Sequence, residues 1–159
     1  MNIIVSDSSS LIALLNINQL ELLKLSFNKV MVPPMVAQEV EHGEFSDSAW
    51  FSLKESGFIC IERLINEDNR LILLNLQLDA GESEAILLAD QLKLSLLIDE
   101  RAGRNMATSM GLHIIGLVGV LYALKQKNQI DTKTMKQLVS ALEKAHFRMS
   151  NALKKLLLS

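Results

Sequence analysis

The chain has 159 residues, 49% of them hydrophobic, with few prolines and glycines and no low-complexity stretch, which suits one domain with a core of its own. A net charge of −2 excludes a protein held to nucleic acid by bulk positive charge, so a polyanionic partner needs local arginines, lysines or a bound cation. The most apolar stretch, residues 111–124, contains His113 and is shorter than the about 20 residues of a membrane span. Asp7 interrupts any secretory leader and the single Cys60 can close no internal disulfide, so a reducing cytoplasm is the expected compartment.

Strand-like and helical runs alternate along the chain. Residues 2–6 form a first apolar strand that stops at Asp7, and any of Ser8, Ser9 or Ser10 can cap the helix carrying Leu11, Ile12, Leu14 and Leu15. A second helical stretch is expected through Leu20 and Leu23. Val30-Met31-Val32 is a short strand stopped by Pro33-Pro34, and proline suits the opening of the helix that then runs to about His42, where Gly43 ends it. Trp50, Phe51 and Leu53 lie on a short helix, residues 58–61 on a strand and residues 71–78 on a helix. Asp79-Ala80-Gly81-Glu82-Ser83-Glu84 opens a helix whose Ala85, Leu88, Ala89 and Leu92 recur at helical spacing. The strand ending at Asp99 follows, then a helix over 101–110, a short strand at 113–115 and a helix over 117–127.

This order is α/β: a three-layer sandwich with a short, mostly parallel sheet flanked by helices, its core spanning about residues 2–125. A C-terminal helical extension over about 131–159 completes a single domain. There Met135, Leu138, Val139 and Leu142 form an i, i+3, i+4, i+7 stripe, and a last helix from Ser150 carries Leu153, Leu156 and Leu157. These helices either pack on the core or offer part of their apolar surface to a second copy or a partner protein.

In a parallel sheet the ligand crevice lies beyond the carboxyl ends of the strands, so Asp7 and Asp99, each closing an apolar strand, converge on one edge. Either can instead cap the helix after it. At 100° per residue Glu39 is nearer the Val36/Val40 face than Glu41, which makes Glu39 the inward candidate. Glu82 and Glu84 open their helix, where the macrodipole favours carboxylates whatever their role, and they flank its apolar stripe on opposite sides. Periodicity does not choose between them. Clustered carboxylates repel one another and repel phosphate, and a hard cation relieves both repulsions.

Asp7-Ser8-Ser9 after the first strand, Val36-Ala37-Gln38-Glu39-Val40, Glu84-Ala85-Ile86-Leu87-Leu88-Ala89 and Leu97-Ile98-Asp99 together resemble the PIN-domain nucleases, and among them the VapC-type ribonuclease toxins, over about residues 2–125. Gly81-Glu82-Ser83-Glu84-Ala85 with Ile98-Asp99-Glu100-Arg101-Ala102-Gly103-Arg104 is similar to an uncharacterised prokaryotic PIN-like subgroup. Glu84 stands where many relatives carry aspartate. The resemblance implies a Mg²⁺- or Mn²⁺-dependent endoribonuclease acting on single-stranded or structured RNA, with Asp7, Glu39, Glu84 and Asp99 as catalytic acids and metal ligands. Ser9 would orient Asp7 or a metal-bound water, Glu82 would support the ligands, and Arg101 and Arg104 would steer the RNA backbone. It further implies the toxin of a toxin–antitoxin pair, with an antitoxin protein and a homodimer as partners.

The non-enzymatic alternative is a catalytically quiet PIN-like protein that binds RNA or a partner. Other classes fit less well. A phosphoacceptor also places an Asp after its first strand, but Asp7-Ser8-Ser9 lacks the second Asp of the dehalogenase motif and no receiver lysine is suitably placed. Ser8 to Ser10 lie in no Gly-x-Ser-x-Gly, His42, His113 and His146 fit no triad, no glycine-rich phosphate loop occurs, and no His/Cys cluster suggests zinc.

Overall fold

The computed structural model describes residues 2–43 and 48–159. Its five strands, β1 (Ile3–Ser6), β2 (Lys29–Val32), β3 (Ile59–Ile61), β4 (Ser95–Leu97) and β5 (Ile114–Ile115), form one parallel sheet in the order β3-β2-β1-β4-β5. The chain starts in the central strand, winds outward to β3, then returns across β1 to β4 and β5. The direction of winding therefore reverses between β1 and β4, and in open parallel sheets that switch point opens a crevice at the carboxyl ends of the strands. Ser6 pairs with Leu97 in register, and the Asp7 N–H still donates to the Leu97 carbonyl at 3.0 Å. Asp7 and the residues after Leu97 thus border the switch point itself.

The connections are helical: α1 (Ser8–Asn16), α2 (Pro34–Glu41), α3 (Ser48–Glu55), α4 (Arg70–Asn75), α5 (Ala80–Leu92), α6 (Arg101–Ser109) and α7 (Leu117–Gln126), followed by α8 (Thr132–Lys144) and α9 (Asn151–Leu158). This is the three-layer α/β sandwich expected. No helix among the described residues is long and apolar enough to cross a membrane. The boundaries differ in detail. Leu20–Leu25 is a 3-10 turn, and the expected helix over 71–78 is the shorter α4.

The larger difference concerns α5. Its apolar positions are not a stripe, because Ala85, Ile86, Leu87, Leu88 and Ala89 are all fully buried while Leu92 is only partly so. A helix covered on every side lies inside the protein rather than on it. α5 packs against β1, β4, α2, α4 and α6. Gly81, Glu82 and Ser83 are buried with it.

The C-terminal stripe is consumed internally. Met135, Leu138, Val139 and Leu142 are buried, as is Leu157 of α9, and α9 packs on both α7 and α8. Leu142→Ala is therefore expected to lower stability by about 2–5 kcal/mol, in one cooperative urea transition. Two separate transitions would show that these helices fold apart from the sheet.

Candidate acidic site

Four consecutive residues at the start of α1 organise the site. Asp7 holds the N-cap position, yet its side chain makes no capping bond. Nor do the serines cap the helix as expected from sequence. The Ser8 hydroxyl donates to Glu39 Oε2 at 2.6 Å, across 31 residues of chain, and the Ser10 hydroxyl donates to Asp99 Oδ2, across 89. Ser9 Oγ, between them, is buried without a partner among the described residues. Successive helix positions are 100° apart, so this one turn reaches in four directions.

Asp7 is 2% exposed and its Oδ1 has no hydrogen-bond partner among the described residues. Burial raises its pKa to about 7; the Ser8 backbone N–H pulls the other way, and the charges of Asp79, Glu39 and Glu100 push it further up. Asp99 is placed very differently. Its Oδ1 accepts the Leu117 N–H at 3.1 Å, which caps α7 rather than the helix directly after it, and its Oδ2 takes the Ser10 hydroxyl.

Glu39 is the inward glutamate of α2, as its helical position suggested. Glu41 is instead bonded by Trp50 Nε1 and Lys54 Nζ, both at 3.1 Å. Between the two glutamates of α5, Glu82 lies on the Asp7 side. It is 6% exposed, its Oε2 has no partner among the described residues, and its pKa is pushed up by burial, by a hydrogen bond with the Asp79 carboxyl and by the charges of Asp79, Asp7 and Glu100. Glu84 is half-buried, near the Met35 N–H and Glu39, with its pKa raised chiefly by burial. It lines a separate cleft with Pro34, Arg63 and Leu64. Arg104 Nη1 donates to the Ile98 carbonyl at 2.8 Å, whereas Arg101 is exposed.

Three glycines make this crowding possible. A Cβ on Gly81 would overlap the Glu39 carboxylate, one on Gly103 would sit 2.7 Å from Glu82 Oε2, and one on Gly116 would sit 2.7 Å from Asp99 Oδ1. Each missing side chain leaves room for an acid.

Sequence reasoning missed Asp79 and Glu100, whose charges bear on both Asp7 and Glu82. A signal existed for Asp79. Its carboxylate caps α5 by accepting the Glu82 N–H at 2.8 Å, the usual reach of an N-cap acid three residues on.

A parallel α/β sheet with acids gathered at its switch point fits a nuclease-like domain. A family model described as DUF3368, PIN domain, matches residues 3–159, and the chain belongs to that family. The match runs through α8 and α9, so the C-terminal helices are part of the family pattern. A solved PilT N-terminus domain protein from the hyperthermophilic archaeon Sulfolobus solfataricus has the same fold, with a TM-score of 0.56 at 17% identity over 76% of this chain and 92% of that one. No curated protein matches the chain.

PIN domains generally use divalent metals, and the acids here fit such an ion. Among the described residues no three His, Cys, Asp or Glu side chains form a ready-made cage. Mg²⁺ does not require one, since it keeps several waters and takes one or two carboxylates. Asp7 Oδ1 and Glu82 Oε2 are hard oxygen donors, buried and without a hydrogen-bond donor among the described residues.

The titration of Asp7 has a sign that can be measured. In the unfolded chain it loses its proton near 3.8 and in the native state near 7, so the native state binds the extra proton between those values. The associated stability is fully present below about pH 4 and is lost as pH rises through 7. In chelator, Asp7→Asn is expected to have a higher melting temperature than the native sequence at pH 8 and nearly the same at pH 4. A difference independent of pH would contradict the burial of this carboxyl.

Proposed function

We propose that the protein is a metal-dependent endoribonuclease that hydrolyses phosphodiester bonds of single-stranded or structured RNA, and that it is the toxin of a toxin–antitoxin pair. The observation that carries this reading is the pair of unpartnered buried oxygens, Asp7 Oδ1 and Glu82 Oε2, beside the switch point of a PIN fold. Bound Mg²⁺ or Mn²⁺ supplies the positive charge that these acids and a phosphodiester lack, and makes water acidic enough to attack at neutral pH.

The chain's own residues divide the remaining work. Asp7 and Glu82 offer free oxygens, while Glu39 and Asp99 are held in place by Ser8 and Ser10. Glu84, the direct ligand implied by resemblance, stands behind Glu39 in this reading, and Glu82 takes the place beside Asp7. Ser9 Oγ donates to a water or phosphate oxygen, and Arg104 offsets phosphate charge; Arg101 steers RNA from the exposed start of α6. Exposed Ile65, Ile72, Leu73 and Leu76, each more than 60% accessible, support a protein-binding surface near α4 for an antitoxin or a second copy. The compartment is the cytoplasm in this reading.

The quiet, RNA- or partner-binding reading draws on the lack of a ready-made metal cage among the described residues. Calorimetric titration with Mn²⁺ separates the two: binding that Asp7→Asn abolishes supports the nuclease, and no binding supports the quiet protein. In cleavage assays Asp7→Asn is expected to reduce Mn²⁺-dependent hydrolysis of single-stranded RNA by more than about 100-fold, since even groups that only support a metal ligand are worth about 10–100-fold. Glu82→Gln should cost more activity than Glu84→Gln. Full, chelator-sensitive activity in Asp7→Asn would refute the assignment.

A further inference from the structure

A cleft of about 760 Å³ opens beside the acidic edge, within the size range of sites for small organic groups. Ser9, Asp99, Glu100 and Arg104 line it at the acidic edge. Its C-terminal wall comes from Tyr122 on α7, Phe147 and Arg148 in the turn between α8 and α9, and α9 itself. Asp99 and Glu100 thus share one space with the C-terminal helices.

That far wall is fixed in position. The α8 terminus closes with the Phe147 N–H on the Leu142 carbonyl at 2.9 Å and the His146 N–H on the Glu143 carbonyl at 3.0 Å. His146 takes the left-handed conformation at φ 66°, the position glycine usually fills in this motif. α9 is tied down by buried Leu157 and by Lys125 Nζ, which donates to the Leu156 carbonyl at 3.0 Å. Residues 146–148 are therefore presented by a defined turn.

The lining has the chemistry of a nucleotide. Arg148 is exposed and has no acidic partner among the described residues, and Arg104 spends one Nη on a carbonyl, leaving its other N–H donors free among those residues. Two guanidinium groups can hold phosphate oxygens at a protein whose net charge is negative. Tyr122, exposed, and Phe147, partly buried against the core, line the cleft with aromatic rings on which a base can stack. The unpartnered Ser9 hydroxyl supplies a polar contact at the acidic end. Rings together with free guanidinium groups suit an unstacked base and its phosphate, which a duplex cannot present.

We propose that this cleft is a nucleotide subsite: it takes one unstacked base of single-stranded RNA against Tyr122 and Phe147, holds the adjoining phosphate with Arg148 and Arg104, and so aligns the neighbouring phosphodiester with the acidic edge. The inference rests on the ribonuclease reading and adds the C-terminal helices to its binding surface.

The test uses the full chain carrying Asp7→Asn to prevent cleavage, with fluorescence anisotropy of a labelled single-stranded oligoribonucleotide over a range of salt concentrations. Adding Arg148→Ala should weaken binding about 5- to 20-fold and reduce the salt slope by about 1. Adding Tyr122→Ala should weaken it at least about 5-fold with the slope unchanged, as expected of stacking. Both side chains are exposed, so unchanged melting temperatures check the fold. RNA binding that neither substitution alters would overturn the subsite, leave the ribonuclease reading standing and give the cleft to a protein partner. No RNA binding together with no RNA cleavage by the native sequence would overturn both.

Discussion

The arrangement depends on carboxyl groups being buried where the sheet reverses its winding. An unsatisfied buried polar group costs about 1–3 kcal/mol, and more when charged, and here Asp7 and Glu82 each leave an oxygen without a partner among the described residues. The interior position of α5 imposes this burial: the helix packs against β1 and β4, and its first turn, with Glu82, is buried along with it. A protein built only for stability would fill such a place with apolar side chains. This one instead removes side chains around the acids, at Gly81, Gly103 and Gly116. Burial, with repulsion among the acids added to it, disfavours their charged forms, which is why the carboxyl pKa values rise; a cation, the chemistry the family uses, relieves the same penalty.

The parts legible in the sequence were those set by local pattern. Apolar runs that stop at Asp7 and Asp99 located the central strands and the edge where their acids lie, and helical phase separated Glu39 from Glu41. What local pattern missed was set by contacts across the chain. Ser8 and Ser10 have the composition of helix caps, and only the fold brings Glu39 and Asp99 within reach of their hydroxyls. The phase of α5 likewise gave no choice between Glu82 and Glu84. A helix buried all round has no polar face from which to read direction, so its tertiary neighbours decide which glutamate lies near Asp7.

The C-terminal helices connect to the same edge through Asp99. Its Oδ1 receives the first N–H of α7, Tyr122 rides on α7, and α9 packs against α7 and carries the far wall of the cleft. Ser10 on the other oxygen links that series to the turn that bears Asp7. The cleft therefore arises from the same contacts that set the acids. A family match extending to residue 159 is consistent with a fold in which the last helices help shape the site rather than merely follow it.

Asp7 and Asp99 look equivalent in sequence, each an aspartate just beyond an apolar strand, but their surroundings give them different roles. Both oxygens of Asp99 are engaged, one by a helix N-terminus and one by a hydroxyl, so its carboxylate works as a strut between α1 and α7. Asp7 Oδ1 is engaged by nothing among the described residues, and its carboxyl sits among other acids that oppose its ionisation. In the proposed reading a cation at this edge draws first on Asp7 and Glu82, whose buried oxygens have no partner among the described residues, whereas drawing on Asp99 means breaking a contact to the start of α7. In the same reading rigidity and reactivity fall to different aspartates, and the strut can hold the cleft in place while Asp7 changes its charge.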